Sequence, residues 1–275
     1  MENPSKEPAD NRYVEAFNWI TARTSLRPKI GVVCGSGLGK FADTLDEAQA
    51  FEYKNIPHFP LSTVPGHKGR LVFGKIRGKE VVCMQGRFHL YEGYPANACA
   101  FPIRLFKLLG VEKLALTNAA GGLNPYYKMG DFMIVKDHIN LPGLVGLHPT
   151  LGETDLFWGP RFTNMFNCYD AELRKSAKEI ATEIGEDRIQ EGVYQCITGP
   201  SYETVAEMKM AQSYGVDALG MSTVYEVTAA RQCGLKCMAI SLITNECKPN
   251  YEEVNEVSHE EVVEIADKEG SKMIN

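Results

Sequence analysis

Ile30-Gly31-Val32-Val33-Cys34-Gly35-Ser36-Gly37-Leu38-Gly39-Lys40 is a short apolar run that ends abruptly in glycines. Its length, its valines and the glycines that stop it predict a buried strand running straight into a tight loop. A loop of this kind lets backbone N–H groups approach an anion closely, and the Ser36 hydroxyl adds a donor. It is not a Walker A loop: only three residues separate Gly35 from Gly39, and Phe41 follows Lys40 where Ser or Thr is required. It is not a dinucleotide fingerprint either, because the third glycine of that pattern falls on Lys40. Taken alone, the loop reads equally well as a strand-to-helix turn with no ligand.

The flanking sequence extends the same pattern. Tyr13, Phe17, Trp19 and Ile20 predict an amphipathic helix. Leu71-Val72-Phe73 and Val81-Val82-Cys83-Met84 flank Arg77-Gly78-Lys79, which predicts a hairpin. A helix over Ile103 to Leu109 is closed by Gly110, and Lys113 to Thr117 and Phe132 to Val135 read as strands. Residues 140–167, with prolines at 142, 149 and 160, read as a long loop of the kind that is either functional or disordered. Leu173, Ala177, Ile180, Ala181 and Ile184 predict a helix with one buried face. Val193 to Ile197, Ala218 to Met221 and Met238 to Ile243 read as strands, and Ser258-x-x-Glu261 is a capping box that opens a last helix. Strands alternating with helices predict an α/β fold over residues 1–275, with a largely parallel central sheet and a frayed start over residues 1–10.

The 275 residues carry a net charge of −6, which disfavours nucleic acid or an anionic membrane as partner while leaving room for a local basic pocket. No apolar run approaches the roughly 18–20 residues needed to span a bilayer, and the first residues lack the apolar core of a secretory leader. Most of the eight cysteines sit in or beside apolar runs and read as buried thiols of a reducing compartment, the cytoplasm. Cys233-x3-Cys237 has no second Cys/His pair at zinc-site spacing, so no metal is expected.

The glycine loop is followed in order by Val64-Pro65-Gly66-His67, Gln85-Gly86-Arg87-Phe88-His89-Leu90-Tyr91-Glu92-Gly93-Tyr94 and Thr117-Asn118-Ala119-Ala120-Gly121-Gly122-Leu123-Asn124. Gly199-Pro200-Ser201-Tyr202-Glu203-Thr204, Gly220-Met221-Ser222-Thr223-Val224 and Ser241-Leu242-Ile243-Thr244-Asn245 complete the series. From about residue 13 to residue 270 it closely resembles the trimeric, low-molecular-mass purine nucleoside phosphorylases of animals and many bacteria. The resemblance implies one α/β domain whose mixed central sheet is flanked by helices. It implies phosphorolysis of purine ribo- and deoxyribonucleosides, inosine and guanosine above all, to free base and (deoxy)ribose 1-phosphate in purine salvage. Inorganic phosphate is then a co-substrate, and neither a metal nor an organic cofactor is needed.

By the same resemblance, phosphate is held by Ser36, Arg87, His89, the Ala119 backbone N–H and Ser222, with His67 in a loop nearby and Glu92 ordering the region. Convergent donors and a rigid guanidinium fork suit an anion with three oxygens to hold. The ribose is held by Tyr91, Met221 and His259, and Phe162 is lent to the sugar site of the neighbouring subunit, so that a closed three-fold homotrimer follows. The base is read by Glu203 and Asn245, lies on Tyr202 and borders Ala120 and Gly121. Asn245, Glu203 and His89 carry the catalysis. No covalent intermediate is implied, because phosphate itself is the nucleophile.

The sequence departs from its mammalian relatives at Tyr202 for Phe, at Glu246-Cys247 for Lys-Val and at Tyr225 for Pro, and it ends early at Asn275. These changes are expected to shift or broaden base preference and to leave phosphorolysis intact. The sister methylthioadenosine phosphorylases carry Asp where Asn245 stands, Thr where Ser222 stands and an apolar pocket in place of His259. A nicotinamide-dependent oxidoreductase is opposed by Lys40. A non-catalytic purine-binding relative is opposed by the intact set of phosphate donors.

Overall fold

The computed structural model describes residues 7–36, 38–64, 67–253, 257–270 and 272. Gly37, Pro65 and Gly66 of the motifs above lie outside the described residues, as do residues 1–6 of the expected frayed start. The elements are α1 (Asn11–Thr21), β1 (Ile30–Cys34), β2 (Asp46–Glu52), β3 (Arg70–Ile76), β4 (Lys79–Gln85), α2 (Ala96–Leu108), β5 (Lys113–Gly122), β6 (Phe132–Asn140) and α3 (Leu141–Leu144). They continue with α4 (Ala171–Glu183), β7 (Ile189–Cys196), α5 (Val205–Ser213), β8 (Ala218–Gly220), α6 (Val224–Gln232), β9 (Lys236–Glu246) and α7 (His259–Glu269).

β1 is the apolar run that ends in the glycine loop, and it is sandwiched between β4 and β5, parallel to both. A strand covered on both faces needs no polar alternation, which is why its sequence reads as continuously apolar. β3 and β4 form the expected hairpin, with Ile76 opposite Lys79. Arg77 and Gly78 both take positive φ, as a two-residue turn matched to strand twist requires.

Among the described residues nine strands run in the order β2-β3-β4-β1-β5-β8-β7-β6-β9, and β9 pairs with β5 as well, so the last five close into a ring. Among the described residues five pairings are parallel and four antiparallel. The sheet is therefore mixed, and the expectation of a largely parallel one is corrected. The β2-β3-β4 meander and the antiparallel contacts of β8 with β5 and of β6 with β9 account for the difference.

α1, α2 and α6 share the main core with the sheet through Tyr13, Ile20, Phe101, Ile103, Val227 and Ala230. α4 departs from expectation. Of its apolar stripe only Ala181 is buried, while Ile180 and Ile184 are each 54% exposed. The helix is held instead by its charged side, where Arg174 and Lys178 both pair with Glu191 of β7. Within residues 140–167 the chain makes the single turn α3 and a short 3-10 turn at Leu156–Trp158 that buries Trp158, but it leaves Leu144, Val145, Leu151, Phe162 and Phe166 exposed.

The parallel strands β4, β1, β5 and β9 present their carboxyl ends on one side of the sheet. In open α/β sheets that edge is where ligands bind. A register shift there pairs Ala120 with Ile243 and Gly121 with Asn245, so Thr244 is the extra residue of a bulge that turns Asn245 toward the cleft.

Candidate active site

A cleft holding about 700 Å³ of empty space, its open mouth included, lies beyond those strand ends. It collects hydrogen-bond donors, of which Arg87, His89 and Ser222 are buried. The loop after β1 brings Ser36, which is kept close to β5 because Gly35 leaves no room for a Cβ: one would stand 2.6 Å from the Thr117 carbonyl oxygen. The segment after β4 brings Arg87 and His89, β5 brings Ala119, and the turn before α6 brings Ser222.

Arg87 is 1% exposed. Its Nε donates to Glu226 Oε1 at 2.9 Å, and its Nη1 donates to the Thr117 carbonyl at 2.7 Å and to Ser222 Oγ at 3.2 Å. Nη2 is buried with no hydrogen-bond partner. An unsatisfied buried guanidinium donor beside a polar cleft marks a place for an anion.

His89 is buried, and its Nδ1 lies 2.9 Å from Glu92 Oε1, which also accepts from the His89 backbone N–H. Burial holds the imidazole below its ordinary pKa, against the pull of Glu92. For Glu92, burial opposes ionisation, but hydrogen bonds from His89 and Thr63 outweigh it and keep the carboxyl below its ordinary value. A neutral ring that gives its Nδ1–H to Glu92 keeps a lone pair on Nε2. Tyr91 stacks on the His89 ring at 4.5 Å, with 14° between the planes. His67 stands one layer behind the cleft. Its Nε2 meets Ser36 Oγ at 3.3 Å, and burial, then His89 and Arg87, lowers its pKa to about 4.

Ser222 is followed by Thr223 at φ 74°, a β-branched residue in the left-handed region. Such a conformation costs on the order of 1–3 kcal/mol and persists only where the surroundings impose it. Here Asn118 Nδ2 donates to Thr223 Oγ1 at 2.9 Å, and Ser222 Oγ lies 3.1 Å from the same oxygen. The strain sets Ser222 at the N-terminus of the buried helix α6.

Tyr91, Met221 and His259 also line the cleft, with His259 at the first position of α7 behind its cap Ser258. So do Tyr202, Glu203, Ala120, Gly121 and Asn245. A Cβ on Gly121 would stand 2.5 Å from Cys247 Sγ and 3.1 Å from Asn245 Nδ2, so glycine is what lets those two side chains close on the strand. Asn245 Oδ1 accepts from Thr244 Oγ1 at 3.4 Å, and its Nδ2 donates to Cys247 Sγ at 3.6 Å. Burial raises the pKa of Glu203, whose carboxylate meets no cation. Burial, and then Glu203, pushes the Cys247 thiol up to about 12, so at neutral pH it is a protonated thiol and not a nucleophile.

Thus thirteen residues expected at the site line one cleft, and His67 backs it. Phe162 does not join them and is 88% exposed on the surface segment. Asn118, Leu219, Gly220, Thr244 and Val262 also line the cleft and were not expected. Of these only Asn118, a polar residue inside an apolar strand, had a readable signal. Among the sequence departures Tyr202 and Cys247 line the cleft, whereas Tyr225 is fully buried in the core, its hydroxyl 3.6 Å from Cys196 Sγ.

The sequence model of the phosphorylase superfamily matches residues 29–275. The chain is 54% identical over 252 residues to the purine nucleoside phosphorylase of Anopheles gambiae, spanning 91% of this chain and 71% of that one. It is 49% identical over 262 residues to the purine nucleoside phosphorylase of Bos taurus, spanning 95% and 91%. Among solved structures, Schistosoma mansoni purine nucleoside phosphorylase in complex with inosine is similar at a TM-score of 0.92 and 43% identity, over 96% of this chain and 93% of that one. With the whole α/β sheet and nearly all of the sequence shared, the chain belongs to the purine nucleoside phosphorylase family of the phosphorylase superfamily.

Proposed function

We propose that this phosphorylase acts best on inosine and guanosine and releases hypoxanthine or guanine with ribose 1-phosphate. The observation that carries the reading is the set of groups gathered in one cleft. The anion donors Ser36, Arg87 and Ser222, the sugar-sized Tyr91, Met221 and His259, and the carboxylate of Glu203 with the amide of Asn245 all line it.

Ser36, Arg87, the Ala119 N–H and Ser222 hold phosphate and aim it at carbon 1 of the ribose. His89 Nε2 takes the proton that phosphate carries, its ring fixed by Glu92 through Nδ1. As the glycosidic bond breaks, the sugar becomes cation-like and electrons collect on the purine. Asn245 stabilises that charge by donating to N7, and Glu203 accepts from N1–H and from the 2-amino group of guanine. Tyr91, Met221 and His259 hold the ribose, and Tyr202 packs on the base. Every step uses groups of the chain or of phosphate, so the reading calls for no metal and no organic cofactor. Eight free cysteines, seven of them buried, favour a reducing cytoplasm.

Initial rates on inosine, guanosine, adenosine and cytidine, with and without phosphate and in the presence of a chelator, test this. Strict phosphate dependence led by inosine or guanosine is expected. Cleavage that proceeds equally without phosphate would overturn the reading. Phosphate-dependent cleavage led by another nucleoside would move base preference to Tyr202 and Cys247.

The working unit is a homotrimer in which Phe162 completes the sugar site of the next subunit. Exposed Leu144, Val145, Leu151, Phe162 and Phe166 supply an apolar surface in need of cover. An apolar recess bordered by Tyr91, Pro200, Tyr202, Met221 and His259 opens beside the sugar position and suits an aromatic ring. Phe162→Ala should raise the nucleoside KM about tenfold and leave the phosphate KM alone, as the loss of one apolar ring contact predicts. Sedimentation should give three chains. A fully active monomer, or an unchanged nucleoside KM, would dismiss the shared site.

A further inference from the structure

Arg87 and Glu226 form a buried ion pair that is only half made. The guanidinium edge that carries Nε and Nη2 matches the two oxygens of a carboxylate, and a buried pair ordinarily makes both bonds. Here Nε donates to Oε1 at 2.9 Å, while Nη2 and Oε2 are both buried without a partner. The two side chains are 1% and 3% exposed. Glu226 is the third residue of α6, in the turn that follows the strained Ser222-Thr223. The Thr117 carbonyl and Ser222 Oγ hold Nη1 from the other side. The guanidinium is thereby clamped at two of its nitrogens and uncommitted at the third.

We propose that Glu226, which does not line the cleft and touches no substrate, is the positioning residue of the phosphate site. It fixes Arg87 through Nε, leaves Nη2 free for the anion, and by its own charge sets how strongly the buried guanidinium attracts phosphate. A bare buried arginine would hold the anion tightly and release it slowly. A completed fork would leave a single Nη2 hydrogen for it. The half-made pair lies between these extremes. The proposal rests on the reading of Arg87 as a phosphate ligand.

The test separates charge from geometry by measuring phosphate KM, nucleoside KM and kcat on two variants, with the wild type and Arg87→Ala beside them. Glu226→Gln keeps an oxygen for Nε–H and removes the charge. Phosphate KM should fall about threefold to tenfold, kcat should fall with it, and nucleoside KM should stay within twofold, as a changed potential at one subsite predicts. Glu226→Asp keeps the charge and withdraws the oxygen by one methylene, so phosphate KM should rise about fivefold or more with nucleoside KM again unmoved. A residue that merely supports the fold would move both KM values together or neither. Phosphate KM that is unchanged in both variants, or moves in parallel with nucleoside KM, overturns the proposal. If Glu226→Gln does not fold, the Asp variant decides by the same split. If Arg87→Ala itself leaves phosphate KM unchanged, the reading of the site fails. If Arg87→Ala raises it and the Glu226 variants do not respond as stated, only the role of Glu226 fails.

Discussion

Arg87→Ala should raise the KM for phosphate about a hundredfold or more while nucleoside KM stays within about threefold, because one variant removes two charge-assisted hydrogen bonds to the anion, each worth roughly 1.5–3 kcal/mol. The same change should destabilise the fold. Glu226 would be left 2% exposed with no cation beside it, and stranding one member of a buried pair costs about 3–5 kcal/mol. The two effects separate in the double variant Arg87→Ala, Glu226→Gln. It carries no stranded charge, so thermal stability should recover by most of that amount while phosphate KM stays high. Steady-state kinetics with phosphate as the varied substrate, and thermal unfolding of the three proteins, measure both. An unchanged phosphate KM in Arg87→Ala would remove the residue from the site. A double variant no more stable than Arg87→Ala would show that the bridge is not what the single variant breaks.

The split between anion and nucleoside effects follows from where the residues stand. Arg87, His89 and Ser222 are fixed by partners deep in the core: Glu226, Glu92 and the Asn118–Thr223 pair. Of those partners only Glu92 was expected from the sequence to order the region. A donor set can be read from residue types that suit an anion, whereas its supports come from β5 and α6, up to 139 positions away along the chain. Only the fold brings them together. Glu92 is the exception, because it lies three residues from His89 and shares its turn.

Legibility of the fold followed a similar rule. β1, β4 and β9 announced themselves because burial on both faces leaves an apolar run. β2 was missed because it lies at the sheet edge with nearly every residue exposed, so Asp46 to Glu52 carries no alternation to read. The stripe of α4 was read in the right place and given the wrong partner. Periodicity identifies a helix, but it does not say whether its apolar face meets the chain's own core, and here Arg174 and Lys178 pair with Glu191 while Ile180 stays exposed. The bulge at Thr244 had no sequence signal of its own, although it governs how Asn245 enters the cleft.

That entry makes Asn245→Asp the sharpest test of base recognition. The amide now has Oδ1 toward the Thr244 hydroxyl and Nδ2 toward the Cys247 sulfur, which leaves one amide hydrogen for the base. A carboxylate has no such hydrogen. Against inosine or guanosine it faces two acceptors, N7 and the 6-oxo group, and loses the donor that meets charge developing on N7. Removal of one such donor costs about 10²–10³ in kcat/KM. Against adenosine the same carboxylate accepts from the 6-amino group, so the loss there should be tenfold smaller or more, and the ratio of adenosine to inosine activity should rise by at least about ten. The pH dependence has a definite sign. The new carboxyl would sit half-buried in the same cleft as Glu203, whose own pKa burial already raises, so its pKa should also lie above the ordinary value near 3.9. Protonation restores a donor, so inosine activity of the variant, measured relative to wild type at saturating phosphate, should recover as pH falls through that raised pKa and be lowest above it. Equal losses on inosine and adenosine, with no recovery in acid, would mean that Asn245 holds the strand end and does not read the base.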